Sequence, residues 1–345
     1  MRHFFTIIFC CFSFSEVNAM CSNDETIEAR KLNVQISSKG YEDFIKIKKS
    51  YYGEVALTKL APSQQKVAHF YEIIKPDQTK FYVLGTSHDL PLEVLPEPVL
   101  SHIKEAANIY VESEAVTLLA SFQISGQRLS GFTRDEEGAI NKHLSPLLAL
   151  FHPELEATAL HLKDLYSIFL IYDCLLGMDS EVIVSSLSLG KSVWMLDALT
   201  DFYTLSLALH RQMLKDEAKE WEDCESIDSS EQSNISHKIS LLGTDTEQFL
   251  RESIKENIAD IENCYEIQEN LESSMKDYAA FNVDDTSEIE EDPDSKHIKV
   301  QERNDRWNTI LENAILESVI CIGHGHLPDL FTRWRKKGYV INRTS

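Results

Sequence analysis

Two segments of the chain share one design. Phe81-Tyr-Val-Leu-Gly85-Thr-Ser-His88 and Val319-Ile-Cys-Ile-Gly323-His-Gly-His326 are each an apolar, strand-like run followed by Gly-x-x-His. Glycine lets the backbone turn sharply out of a sheet, and the histidine three residues on then stands at the strand's carboxyl edge. In open α/β sheets that edge is where ligands gather. A third β-rich run, Ile109-Tyr-Val111, ends at Glu112-Ser113-Glu114 and delivers carboxylates to what could be the same edge. Imidazoles and carboxylates converging there can hold a divalent metal, or work as an acid–base pair on an attacking water. Taken singly, a Gly-x-x-His is commonly an incidental turn and a strand-end glutamate a solvated one. It is the coincidence of three such ends that points to a shared polar site. The extra His324 is open between a further ligand and a plain loop histidine.

These residues need a sheet to carry them. His69-Phe-Tyr-Glu-Ile-Ile74 and Lys80-Phe-Tyr-Val-Leu84 are β-rich runs separated by the turn-forming Lys-Pro-Asp-Gln-Thr, which predicts a hairpin. A helix is expected over 97–107 and another around 41–49. Residues 140–176 read as helical, punctuated by Pro146 and Pro153, and 181–189 as a helix closed by Gly190 before a strand at 191–196. Helical stretches follow at about 201–222 and 245–280, separated by a polar loop at 222–234. An acidic loop at 282–296 and an amphipathic helix over 302–317 come next. A buried strand at 318–322, a helix through Trp334 and a strand at 339–341 close the chain. This order predicts an α/β domain with a central mixed β-sheet flanked by helices and a helical, acid-rich insertion at about 200–300.

The motifs also resemble a known family. Gly85-Thr-Ser-His88 with its preceding hairpin is similar to the Gly-Thr-[Ile/Ala]-His opening of TraB/GumN proteins. Gln301-Glu302-Arg303-Asn304 resembles their Arg-Asn helix start. Gly323-His-Gly-His326-Leu327-Pro328 followed by Gly338-Tyr339-Val340 resembles their closing segment. Gly177-x-Asp179 and Gly190-Lys191-Ser-Val-Trp-Met-Leu196-Asp197 look like their middle segment, with Asp197 standing where the family usually has glutamate. The resemblance runs from about residue 66 to 343. That family is related to the TIKI metalloproteases and, more distantly, to erythromycin esterase-like hydrolases.

The resemblance implies His88 and His326 as paired site histidines, Glu112 as the strand-end carboxylate and Arg303 as the cation facing the site. Arg303 could orient a carboxylate or stabilise an oxyanion; as a plain helix-start ion pair it would do neither. The leading expectation is metal-assisted hydrolysis of an amide or ester, in a peptide or a small substrate. His88, His326 and Glu114 would hold a divalent ion (Mn, Co or Zn) and Glu112 would be general base. The alternatives are a non-catalytic module binding a peptide or signal at the same cleft, and metal-independent hydrolysis with His88 and Glu112 acting directly on water.

Composition bounds the partners. The chain has 345 residues, 43% hydrophobic, and a formal charge of −23. Between Asp216 and Val300 stand 25 Asp/Glu against 7 Lys/Arg, so most of that charge sits in one stretch, which repels phosphate backbones and excludes nucleic acid as an expected partner. Arg2 and His3 precede an apolar run over 4–14, too short for a membrane helix, and Val17-Asn-Ala19 suits a cleavage site. The expected organisation is a signal peptide at 1–19, a polar segment at 20–65 and the domain at 66–343. The mature protein would be secreted or periplasmic, with no stable membrane span; the oligomeric state is not legible. Of seven cysteines, Cys10 and Cys11 leave with the signal. Cys224 and Cys264 could form a disulfide in an oxidising compartment, while Cys321, after Val319-Ile320, reads as a buried strand residue rather than a nucleophile.

Overall fold

In the computed structural model the described residues are 29–53, 68–112, 131–197, 229–262, 265–284, 296–313 and 317–344, with single positions at 119, 129 and within 203–218. The elements follow in chain order: β1 (Arg30–Lys31), α1 (Ser38–Tyr52), β2 (His69–Ile74), β3 (Lys80–Thr86), α2 (Glu97–Glu105) and β4 (Asn108–Val111). Then come α3 (Arg134–Leu148), α4 (Leu162–Leu170), α5 (Tyr172–Leu176), α6 (Met178–Ser188) and β5 (Ser192–Met195). The chain continues through α7 (Ser229–Thr244), α8 (Thr246–Glu262), α9 (Tyr265–Ala280) and α10 (Lys296–Glu312). It closes with β6 (Val319–Gly323), α11 (Leu327–Lys336) and β7 (Val340–Arg343).

The seven strands form one mixed sheet in the order β1-β5-β4-β6-β3-β2-β7. The four central strands, β5, β4, β6 and β3, are parallel, and β1, β2 and β7 pair antiparallel at the flanks. Because successive side chains of a strand point to opposite faces, the apolar runs feed two cores. Leu84, Ile109, Val111, Val319 and Cys321 face one side, packed by α1 to α9. Phe81, Val83, Tyr110, Ile320 and Ile322 face the other, covered by Trp307 of α10 and Leu330, Phe331 and Trp334 of α11. A strand apolar on both faces can exist only inside such a helix–sheet–helix sandwich. Strand β6 is buried at all five positions, and Cys321 is fully enclosed.

Most sequence-predicted elements lie within a few residues of their observed ones. Two differ. The polar stretch expected as a loop at 222–234 contains the start of α7 at Ser229; its sparse apolar stripe, Ile235 and Leu242, is buried one heptad apart on a single face. Helix α10 begins at Lys296, ahead of the expected 302, and the expected helix over 140–176 begins at Arg134. There Thr133 and Glu136 form a reciprocal cap that starts the helix ahead of its apolar stripe. The expected signal peptide, Cys21, Cys224, Cys264, Glu114 and most of the acidic loop lie outside the described residues. Among the described residues no helix is long and apolar enough to cross a membrane.

Candidate active site

The four parallel strands end at one edge, and each delivers a polar group there. Strand β3 runs into Thr86 and His88, β4 into Glu112, β6 into Gly323 and His326, and β5 into Asp197. Strand β6 enters between β4 and β3 although it is the last of the four parallel strands in the chain. The order of strands therefore reverses at this point, and in open α/β sheets ligands bind at the carboxyl edge where it does. Gly323 marks its centre. A Cβ at that position would lie 3.2 Å from Glu112 Oε2, 3.6 Å from His88 Nε2 and 3.7 Å from His326 Cδ2. The two Gly-x-x-His histidines and the strand-end glutamate are thus brought together.

Each side chain is held by a partner. His88 Nδ1 faces Asp179 Oδ2 at 2.8 Å, and Thr86 Oγ1 donates to Asp179 Oδ1 at 2.6 Å. Asp179 is in the first turn of α6, almost wholly buried. Burial works against a charged imidazole, but the Asp179 carboxylate outweighs it and pushes the His88 pKa up to about 10. His326 Nδ1 instead meets Asn304 Oδ1 at 2.8 Å. The Asn304 amide nitrogen donates to His326 O and Asp329 Oδ2, so its oxygen faces the ring and His326 Nδ1 must carry a proton.

Glu112 uses both oxygens. Gly323 N–H donates to Oε2 at 2.6 Å, and Oε1 lies 2.9 Å from Arg303 Nη2 and 3.5 Å from His326 Nε2. Burial alone would raise the pKa of this carboxyl; Arg303 first, then the two histidines, hold it well below the usual carboxylate range. Arg303 also pairs with Asp197, which takes Arg306 and the Trp307 indole N–H as further donors. The guanidinium stacks 4.5 Å from the Trp307 ring, which in turn lies 4.5 Å from the His326 ring.

A divalent ion fits these donors poorly. Arg303 fills the space between Glu112 and His326, with Nη1 at 3.4 Å from His326 Nε2. His326 turns its Cδ2 edge, not a nitrogen, toward Gly323. Among the described residues no group of three or more His, Cys, Asp or Glu is arranged to hold a metal, and Glu114 lies outside them. The positive charge that a metal would bring is already supplied by arginine.

His324 does not join the others as a third ligand. Its Nδ1 is 2.8 Å from Thr86 O, and its ring packs among His69, Tyr278 and Phe281. Sequence reasoning assigned no role to Asp179, Asn304, Arg306 or the Trp307 indole. For Asp179 a signal existed: a carboxylate two residues past the Gly177 that interrupts an otherwise apolar helical run. A Cβ at Gly177 would fall 1.8 Å from His88 O, so glycine there admits the first histidine turn. Comparison with models of known protein families, with curated proteins and with solved structures finds no match to this chain.

Proposed function

We propose that this site hydrolyses an amide or ester bond, in a peptide or a small substrate, by acid–base chemistry in which Arg303 takes the place of a metal. The observation that carries the reading is the convergence of Glu112 Oε2 and His88 Nε2 on the space beside Gly323. A water there would meet a carboxylate on one side and an imidazole N–H on the other. Glu112 would take a proton from the water as its oxygen attacks the carbonyl carbon. His88 would give its Nε2 proton to the departing alkoxide or amine, with Asp179 fixing the ring. Transfer of the proton from Glu112 back to His88 closes the cycle, and the net reaction is addition of one water. Arg303 keeps Glu112 ionised beforehand, at the cost of some basicity. The motif resemblance to TraB/GumN proteins and their esterase-like relatives supports the same class.

The test is turnover of a chromogenic acetate ester and of an anilide, with elemental analysis of the same sample. Expected are activity that survives chelation and a loss of at least ~100-fold in kcat for Glu112→Gln and for His88→Asn, within the range general acid–base groups contribute. Activity abolished by chelator and restored by Mn, Co or Zn would replace this mechanism with the metal-assisted one. Wild-type turnover in both variants would overturn the hydrolase reading.

A further inference from the structure

A second polar cluster lies away from Gly323, between α1, α2 and α6. Lys48 of α1 is 1% exposed, and its ammonium is shared by two carboxylates, Glu93 at 2.7 Å and Glu181 at closer range. Glu181 Oε2 also accepts the Leu92 N–H at 3.0 Å. Two acceptors remain: Glu93 Oε2 and Ser186 Oγ are buried and have no hydrogen-bond partner among the described residues. Ser186 is itself only 1% exposed. A buried polar group left unpaired costs on the order of 1–3 kcal/mol, so two beside one cavity call for a partner.

The cavity is there. A cleft of about 370 Å³ is lined by Glu93, Glu181 and Ser186 together with Leu92, Ile103 and Tyr41. That volume falls in the range of small-molecule sites, about 300–1,000 Å³. Its mouth carries Leu189, an exposed large apolar side chain. The wall is thus aliphatic and aromatic, and it includes the two carboxylates that share the Lys48 ammonium behind it. The lysines at the rim are committed elsewhere: Lys191 donates to the Ile103 and Lys104 carbonyls, and Lys104 pairs with Glu97.

We propose that this cleft binds a small ligand carrying an ammonium or guanidinium group on an apolar stem. The cation donates to Glu93 Oε2 and Ser186 Oγ and balances the second carboxylate, while the stem lies along Leu92, Ile103 and Leu189. An ammonium supplies three donors, enough for both orphaned acceptors, and Tyr41 adds an aromatic wall of the kind that favours cations. A neutral alcohol of equal length offers one donor and no charge, and a carboxylate offers no donor at all.

The experiment is calorimetric titration of the full chain with hexylammonium, hexanol and hexanoate. Hexylammonium is expected to bind at least ~10-fold more tightly than hexanol, and hexanoate not at all. Glu93→Gln keeps the side chain's shape and leaves Lys48 its Glu181 partner; it should weaken hexylammonium at least ~10-fold. Ser186→Ala should weaken it by a smaller factor. Thermal melting of both variants controls for folding, and ester turnover, read in parallel, keeps this site separable from the one at Gly323. The proposal falls if hexylammonium fails to bind by about 10 mM, a weak limit for so small a ligand. It falls equally if hexanol binds as well, or if a folded Glu93→Gln protein binds as tightly as wild type.

Discussion

The two Gly-x-x-His turns begin alike and end differently. Both leave parallel strands that are direct neighbours in the sheet, with Gly85 opposite Ile322 and Thr86 opposite Gly323 in register. In the first turn the histidine's Nδ1 meets a buried carboxylate, Asp179; in the second it meets an amide, Asn304. The glycines differ as well. Gly85 is needed for packing, since its absent Cβ would press on Leu327, His69 and His324. Gly323 instead leaves open the space between Glu112, His88 and His326, where a Cβ would stand. One motif thus yields an imidazole held charged and an imidazole held in a fixed tautomer, and the choice is made by a residue far away in sequence.

The sharpest way to break this comparison is Asp179→Asn. It gives His88 an amide partner like that of His326 and removes the cause of its raised pKa. The His88 imidazole should then titrate several units below its present value of about 10, as read by NMR of the ring. Taking away one member of a buried pair should cost about 3–5 kcal/mol in denaturant unfolding. The linkage has a definite sign. A histidine whose folded pKa exceeds its unfolded value of about 6.5 stabilises fully below that value and loses its contribution as pH rises toward 10. The variant should therefore lack the alkaline decline expected of wild type between about pH 6.5 and 10. A His88 that still titrates near 10 without Asp179 would remove the carboxylate from the explanation.

Much of this edge was legible in the sequence because strands are local. The runs at 81–84, 109–111 and 319–322 announce themselves, and each strand's last residues must emerge where the strand ends. The α/β class and the mixed sheet follow from the same order of elements. Partner choice was not legible. Asp179 reaches His88 across 91 positions and Arg303 reaches Glu112 across 191, and nothing in local periodicity pairs them. The metal expectation turns on this point. Histidine and glutamate at strand ends suit a cation, but spacing does not tell whether that cation is an ion or a guanidinium arriving on α10.

A third histidine sharpens the comparison from another side. His69 sits opposite Gly85 in the hairpin register and is as buried as the site residues, with no carboxylate beside it among the described residues. Its Nε2 donates to Tyr278 O at 2.6 Å, and burial lowers its pKa to about 4. A depressed histidine contributes stability that is present above about pH 6.5 and is lost as pH falls toward 4. That loss amounts to about 3 kcal/mol if the whole shift is realised. In His69→Phe the stability curve should be flatter over this acid range by one group's worth of proton uptake, while the alkaline arm assigned to His88 stays. Identical acid slopes in the two proteins would show that His69 is not held neutral by the fold.

The smallest effects should come from the two glycines. Gly85→Ala places a methyl 2.6 Å from Leu327 Cδ1, with the His69 and His324 Cβ atoms at 3.0 and 3.1 Å. Leucine can turn aside, but the two Cβ atoms are fixed to backbone, so overpacking of about 1–3 kcal/mol is expected. Gly323→Ala places its methyl 3.2 Å from a carboxylate oxygen and beyond 3.5 Å from both imidazoles, distances that the side chains can absorb by shifting slightly. Its φ of −51° is open to any residue, so unfolding should change by under about 1 kcal/mol, the scale of a tolerated volume change. The same methyl occupies the space assigned to the attacking water, and ester turnover should drop by at least ~10-fold. Denaturation and turnover measured on both variants separate the two roles: Gly85→Ala loses stability in proportion, and Gly323→Ala loses turnover while staying folded. If Gly323→Ala keeps wild-type turnover, the water does not sit beside Gly323, and the acid–base pair must be sought elsewhere along the edge.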